Sequence, residues 1–143
     1  MPALVLPLCP RPCVLVVEDD CLLGEDLRAE LDTAGAEVLG PVRDLASALS
    51  LLAHGPAPTA AILDIKLQGE WVFPLADALR MRGIPFVFAS GYAAASVPEA
   101  YAGVPCCEKP YAAERCLGLL FGQIAVATSA QGLRAPHWSE AHV

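Results

Sequence analysis

Short runs of apolar residues alternate along the chain with longer stretches in which apolar residues recur at helical spacing. The short runs are bounded by polar, Gly or Pro residues, and most are rich in β-branched or aromatic residues, a pattern typical of buried strands. The last run is less apolar than the others. The predicted strands are residues 13–17, 37–40, 60–63, 85–89 and 104–108.

The longer stretches predict amphipathic helices, because their apolar residues fall on one face of a 3.6-residue period. Asp20 and Asp44 are placed to cap the first two helices, and Gly35 can end the first in a left-handed conformation. A third helix is predicted over 71–82 and a last one over 112–127, whereas 91–103 offers at most a short helix. The predicted inward-facing residues are Leu22, Leu23, Leu27, Leu31, Ala34, Leu45, Ala48, Leu49, Leu52, Phe73, Leu75, Ala76, Leu79, Cys116, Leu117, Leu120, Phe121 and Ile124.

Strands that alternate with helices in a chain of 143 residues predict a single α/β domain. Such a domain is a parallel sheet covered by helices on both faces and joined by right-handed connections. We expect it to cover residues 13–127, after an N-terminal extension of residues 1–12 and before a loose tail of residues 128–143.

The composition limits the compartment and the partners. Hydrophobic residues make up 55% of the chain, which excludes disorder over most of its length. The net charge of −7 is the wrong sign for binding nucleic acid or an anionic membrane surface. The apolar start is broken by Pro2 and Pro7 and has no Lys or Arg ahead of it, so neither a signal peptide nor a membrane span is predicted. We therefore expect a cytoplasmic protein whose six cysteines are reduced thiols.

Polar residues that carry chemistry follow the predicted strands at the points where these end. A parallel α/β sheet places its ligand site at the carboxyl ends of its strands. Each residue alone is more often a solvated turn, a cap or a surface residue, but their joint placement at one edge predicts a site. The residues are Glu18, Asp19 and Asp20 after the first strand, Asp64 after the third, Ser90 after the fourth and Lys109 after the fifth.

This set of residues suits phosphoryl transfer. Converging carboxylates need a positive counter-charge, and their hard oxygens suit Mg²⁺. Asp64 is placed centrally, as a carboxylate nucleophile that forms an aspartyl phosphate would be. The Ser90 hydroxyl and the Lys109 ammonium can each hold part of the transferred group. The sequence therefore predicts a phosphorylation site.

Four motifs resemble the receiver domain of two-component response regulators, over about residues 13–127. They are VLVVEDD, the run from Ala61 to Asp64 (AILD), the run from Phe88 to Gly91 (FASG) and the run from Glu108 to Pro110 (EKP). The resemblance implies a flavodoxin-like, doubly wound five-stranded sheet of order 2-1-3-4-5. The FASG run, followed by Tyr92, resembles a receiver subgroup with a Phe-Ala-Thr-Gly-like signature and a short or irregular fourth helix.

The resemblance also implies a role for each matching residue. Glu18, Asp19 and Asp64 would hold Mg²⁺, and the backbone carbonyl of Lys66 would complete the metal site. Asp64 would accept a phosphoryl group from a histidine kinase or a histidine phosphotransfer protein. Ser90 and Lys109 would contact that group, and the bond before Pro110 would be cis.

Three departures from the family pattern affect the output more than the chemistry. Gln68 stands where many receivers have Pro, four residues after the acceptor, so the geometry of that loop is open. Cys106 replaces the aromatic switch residue of the fifth strand, and either Tyr92 or the 91–103 segment is a candidate substitute for it. Lys66, two residues after Asp64, is a candidate modulator of phosphate lifetime.

These observations favour a stand-alone receiver that signals through an unknown protein partner and is not an enzyme beyond its own phosphorylation and dephosphorylation. One alternative is a phosphorylation-independent binding module on the receiver scaffold, although such a module has no need of the full residue set. Another alternative is an aspartyl-phosphate phosphatase. It is weaker, because those enzymes have a second acid two residues after the nucleophile and this chain has Lys66 there. The apolar face of the last helix is compatible with core packing or with a homodimer surface.

Overall fold

The computed structural model describes residues 11–90, 97–108 and 113–130, and every structural statement below concerns these residues. Strands and helices alternate, as the apolar pattern predicts, with one small hairpin in addition. The strands are β1 (Cys13–Val17), β2 (Glu37–Val42), β3 (Ala60–Leu63), β4 (Lys66–Leu67), β5 (Glu70–Trp71), β6 (Phe86–Ser90) and β7 (Cys106–Glu108). The helices are α1 (Cys21–Thr33), α2 (Leu45–His54), α3 (Phe73–Met81) and α4 (Ala113–Ala130), and a 3-10 turn covers Glu99–Tyr101.

Five strands form one parallel sheet in the order β2-β1-β3-β6-β7. This order is 2-1-3-4-5 when the main strands alone are numbered, so the predicted flavodoxin-like topology is confirmed. The additional pair, β4 and β5, is a separate antiparallel hairpin between β3 and α3. The sheet brings the carboxyl ends of β1 and β3 side by side, with Val17 opposite Leu63.

Hydrophobic packing covers both faces of the sheet, because successive strand residues point to opposite sides. Leu15 and Val17 of β1 pack in a cluster that includes residues of α2 and α3. Val14 and Val16 pack in a second cluster with residues of α1 and α4. The helices therefore lie as a doubly wound fold requires, with α2 and α3 on one face and α1 and α4 on the other.

The predicted helix ends follow from the capping residues. The carboxylate of Asp20 accepts hydrogen bonds from the backbone N–H groups of Leu22 (2.9 Å) and Leu23 (3.1 Å) at the start of α1. Asp44 accepts one from the N–H of Ser47 (2.7 Å) at the start of α2. Gly35 follows α1 with a φ of 94°, the left-handed conformation that glycine adopts without steric cost. No helix in the described ranges is both long enough and apolar enough to cross a membrane.

The structure corrects two details of the helices. The predicted start of the third helix at Trp71 is wrong, because Trp71 pairs with Lys66 in the hairpin and α3 begins at Phe73. The predicted burial of Leu22 is also wrong, since 80% of its surface is exposed. Leu22 lies beside the inward row of α1, in which Leu27 and Leu31 are fully buried.

Several predictions concern segments at the limits of the described ranges. Of the 91–103 segment, residues 97–103 are described, and they contain the 3-10 turn as their helical element. Residues 1–10, 91–96, 109–112 and 131–143 lie outside the described residues. The predicted N-terminal extension and loose tail therefore stay predictions.

Candidate functional site

Three carboxylates meet at the carboxyl edge of the sheet. Glu18 directly follows β1 and Asp64 directly follows β3, so the pairing of these strands places them next to each other. The N–H of Asp64 donates to the carbonyl oxygen of Val17 (2.9 Å), which extends the pairing by one residue. One carboxylate oxygen from each of Glu18, Asp19 and Asp64 lies within 4.8 Å of the others.

Two of these carboxylates are buried. Glu18 is 1% exposed and Asp64 is 4% exposed, whereas Asp19 is half-buried. Removing carboxylates from water side by side costs free energy unless positive charge or hydrogen bonding compensates. One Glu18 oxygen, Oε2, accepts a hydrogen bond from the N–H of Asp20 (3.1 Å). A cluster of hard oxygens at this spacing fits Mg²⁺, which binds through carboxylates and completes its shell with water or phosphate oxygens.

The hairpin after Asp64 contacts the carboxylate of Asp19, the half-buried member of the cluster. The N–H of Gln68 donates to Oδ2 of Asp19 at 3.0 Å. Gln68 and Gly69 form the two-residue turn of the hairpin, with φ angles of 47° and 87°, which is typical of a type I′ turn. Proline has no N–H and a φ near −65°, so the Pro common in receivers at this position is incompatible with the turn. The sequence left the geometry of this loop undetermined, and the structure shows a two-residue hairpin turn. Gln68 is therefore a site residue that the sequence did not reveal.

Arg43 is a second site residue that the sequence analysis missed. It follows the end of β2, and its Nη2 lies 3.4 Å from the carbonyl oxygen of Asp19. The guanidinium therefore brings positive charge to the acidic edge. The sequence could have indicated Arg43, because it directly follows β2, the neighbour of β1, and residues after neighbouring parallel strands lie at the same edge of the sheet.

The side chain of Lys66 is half-buried and contacts the hairpin itself. Its Nζ lies 4.7 Å from the centroid of the Trp71 ring, within the range of a cation–π interaction. The roles predicted for Lys66, as a carbonyl ligand and as a modulator of phosphate lifetime, stay predictions.

The other predicted site residues lie at or beyond the limits of the described ranges. Ser90 is the last residue of β6, and its backbone pairs with Glu108 of β7. Its side chain is not among the described parts of the structure. Lys109, Pro110 and Tyr92 fall in segments that are not described. Their predicted roles, including the cis bond before Pro110, are untested.

Beside the acidic site lies a cluster of aromatic rings. Phe73 stacks on Trp71 (centroids 5.9 Å apart) and on Tyr101 (5.4 Å), and Phe88 meets Tyr101 edge-on at 6.0 Å. Cys106, which replaces the usual aromatic of the fifth strand, packs half-buried against the cluster that contains Phe88 and Tyr101. The rings are therefore supplied by the hairpin, α3, β6 and the 3-10 turn.

Cys116 of α4 is fully buried on the opposite face of the sheet. Burial is the main cause that raises the pKa of the Cys116 thiol to about 12, with smaller contributions from the Cys107 and Cys106 thiols and the Glu18 carboxylate. The thiol is neutral at physiological pH and serves as core packing.

The order of the strands and the cluster of carboxylates at the sheet edge are those of a response regulator receiver domain. Solved structures with this fold match the chain at high similarity. SdrG from Sphingomonas melonis Fr1 is 34% identical with a TM-score of 0.66, and the match covers 85% of this chain and 99% of that one. A response regulator receiver protein from Sinorhizobium medicae WSM419 is 24% identical with a TM-score of 0.72, covering 82% and 98%. The response regulator PhyR from Brucella abortus is 22% identical with a TM-score of 0.68, covering 85% of this chain and 53% of that one.

The chain belongs to the response regulator receiver family, a family of signalling domains. No family model matches its sequence. No curated protein matches it either.

Proposed function

We propose that the chain is a receiver that accepts a phosphoryl group on Asp64 in a reaction that depends on Mg²⁺. The observation that carries this proposal is the convergence of Glu18, Asp19 and Asp64 oxygens within 4.8 Å, with Asp64 itself 4% exposed. A buried carboxylate beside two others destabilises the fold, because the charges are removed from water, so a protein that serves only as a scaffold has no need of it. The same arrangement is useful for phosphoryl transfer.

The proposed step transfers the phosphoryl group of a phosphohistidine to this carboxylate. An Asp64 oxygen attacks phosphorus, the phosphorus–nitrogen bond breaks, and the histidine nitrogen leaves with the electron pair and takes up a proton. Glu18, Asp19 and Asp64 would hold Mg²⁺, with the Lys66 carbonyl as a further ligand. The bound ion would neutralise charge that develops on the phosphoryl oxygens. Lys109 would contact the same oxygens.

A protein with a phosphohistidine supplies the group in this proposal, namely a histidine kinase or a histidine phosphotransfer protein. A structure of SdrG exists in a BeF₃-activated conformation. We propose that a phosphoryl group on Asp64 activates this chain in the same sense, with Ser90 and the 91–103 segment responding to the added charge. The response then passes to a protein partner.

The test is phosphorylation by a small donor, acetyl phosphate, followed by intact-protein mass spectrometry. We expect the wild-type protein to gain one phosphoryl group with Mg²⁺ present and none after chelation, and Asp64→Asn to gain none. Asp20→Asn is the matched control, because Asp20 lies next to the cluster but caps α1, and Asn caps a helix equally well. It should be phosphorylated like the wild type.

Other outcomes would favour the alternatives. Labelling of Asp64→Asn at the wild-type rate would refute the proposal. A wild-type protein that takes up no phosphoryl group would favour a phosphorylation-independent binding module. Continuous turnover of a generic phosphate ester would favour a phosphatase.

A further inference from the structure

We propose that Gln68 is a positioning residue for the metal ligand Asp19, and that it acts through its backbone N–H. The inference rests on the proposed function, because it assigns Asp19 to a Mg²⁺ site. It adds a residue that neither the motifs nor the acidic cluster contains.

Asp19 needs a positioning group more than its two neighbours do. Glu18 and Asp64 are buried, so packing restricts their side chains. Asp19 is half-buried, and a carboxylate at the surface loses rotamer freedom when it binds an ion. The hydrogen bond from Gln68 (3.0 Å) engages one oxygen, Oδ2, and leaves the carboxylate its second oxygen. Asp19 is thereby oriented before a cation arrives.

The direction of this N–H is set by a hairpin that is itself anchored. The N–H of Val72 donates to the carbonyl oxygen of Ile65 (2.8 Å) beyond the paired residues of the hairpin. Ile65, Leu67 and Val72 are completely buried. The turn at residues 68–69 therefore projects from a fixed base, so its backbone donor has a fixed position relative to Asp19.

The requirement at position 68 is a positive φ together with a backbone N–H. Gln68 has a φ of 47°, a conformation that Asn and Gly adopt more readily than other residues. Proline meets neither requirement. Asn and Pro at this position therefore separate the role of the backbone from that of the side chain.

The experiment is a titration of the isotope-labelled, full-length protein with MgCl₂, followed through amide chemical shifts. We expect Gln68→Pro to raise the Kd for Mg²⁺ about 10-fold or more, in line with the loss of a group that orients a metal ligand. Gln68→Asn should stay within about twofold of the wild type, because it keeps the N–H and tolerates the turn. Equal Kd values for wild type and a folded Gln68→Pro would overturn the inference.

A second measurement does not depend on the folding of the proline variant. Hydrogen exchange of the Gln68 amide should be slowed in the wild-type protein and accelerate about tenfold in Asp19→Ala, which removes the acceptor. Unchanged exchange in Asp19→Ala would overturn the inference while leaving the proposed function intact. If the wild-type protein binds no Mg²⁺, the metal-dependent function fails first and the inference fails with it.

Discussion

The ammonium of Lys66 rests on the ring of Trp71, with Nζ 4.7 Å from the ring centroid. Trp71 stacks on Phe73, and Phe73 stacks on Tyr101. A continuous row of side chains therefore connects the position two residues after Asp64 with the 3-10 turn. Because Cys106 provides no ring, these contacts are the aromatic link between the loop after Asp64 and the 97–103 segment among the described residues.

Removal of the Lys66 side chain should shorten the life of the phosphorylated state. Lys66→Ala deletes a half-buried side chain two residues after Asp64, and we expect its loss to open the approach of water to a phosphoryl group on Asp64. We expect autodephosphorylation to accelerate several-fold, measured as loss of the phosphorylated mass after the donor is removed. Lys66→Arg should resemble the wild type, because a guanidinium also rests on an aromatic face. Equal rates in Lys66→Ala and the wild type would contradict this role.

The ring of Tyr101 should matter more for stability than its hydroxyl. Tyr101 is 4% exposed and contacts Phe73, Phe86 and Phe88. Its hydroxyl donates to the carbonyl oxygen of Phe73 at the long distance of 3.5 Å. Urea denaturation should show a loss of about 3–5 kcal/mol for Tyr101→Ala and of about 1 kcal/mol or less for Tyr101→Phe. Similar losses in the two variants would show that the hydroxyl dominates.

Gly40 and Gly118 should respond to alanine in opposite directions. Gly40 has a φ of 101°, and a Cβ there would lie 2.6 Å from the carbonyl oxygen of Val16. We expect Gly40→Ala to cost on the order of 2–4 kcal/mol, because both the backbone and the contact are strained. At Gly118 of α4 a Cβ meets nothing within 4 Å, and alanine should stabilise the helix by up to about 1 kcal/mol. Thermal denaturation of both variants measures the contrast, and a stable Gly40→Ala protein would contradict it.

The buried thiol of Cys116 should make the protein less stable in alkali. Its pKa is raised from 9.0 to about 12, so above pH 9 the unfolded chain releases this proton while the folded chain keeps it. Stability from this group is therefore constant below about pH 9 and falls as pH rises from there towards 12. Between pH 8 and pH 10 the loss should be on the order of 1 kcal/mol.

Cys116→Ala provides the comparison for this pH effect. The variant should be less stable than the wild type at pH 8, because a buried side chain is truncated. Its further loss between pH 8 and pH 10, measured by urea denaturation, should be smaller than that of the wild type. An identical loss in both proteins would assign the alkaline effect to other groups.

The sequence was sufficient for the sheet and for the position of all three clustered carboxylates. β1 and β3 are continuous apolar runs, which is typical of strands buried on both faces of a parallel sheet, and Glu18 and Asp64 then follow from where these strands end. Asp19 was placed correctly as a neighbour of Glu18, but its partner Gln68 was not found. The Gln68 N–H that donates to the Asp19 carboxylate, 49 positions away, is a backbone group that every residue except proline carries, so the side chain at position 68 does not indicate it.

The hairpin was missed for a related reason. Strands of two residues are too short to show alternation. Trp71 also shares a spacing of four with Leu75 and Leu79, so periodicity alone placed it on the following helix. Pairing of Trp71 with Lys66 and its stacking on Phe73 outweigh that helical preference. Tertiary contacts of this kind decide where short elements begin.

The turn at Gln68 has a consequence for how related sites are found. Since Gln68 contacts Asp19 through its main chain, the requirement at this position falls on a positive φ and a backbone N–H, and not on the chemistry of the side chain. Asn, Asp and Gly satisfy it as well as Gln does. Two proteins can therefore share this hydrogen bond from the turn to the metal-site carboxylate without an identical residue at the turn. A search by turn type will detect the hydrogen bond where a search by residue identity fails.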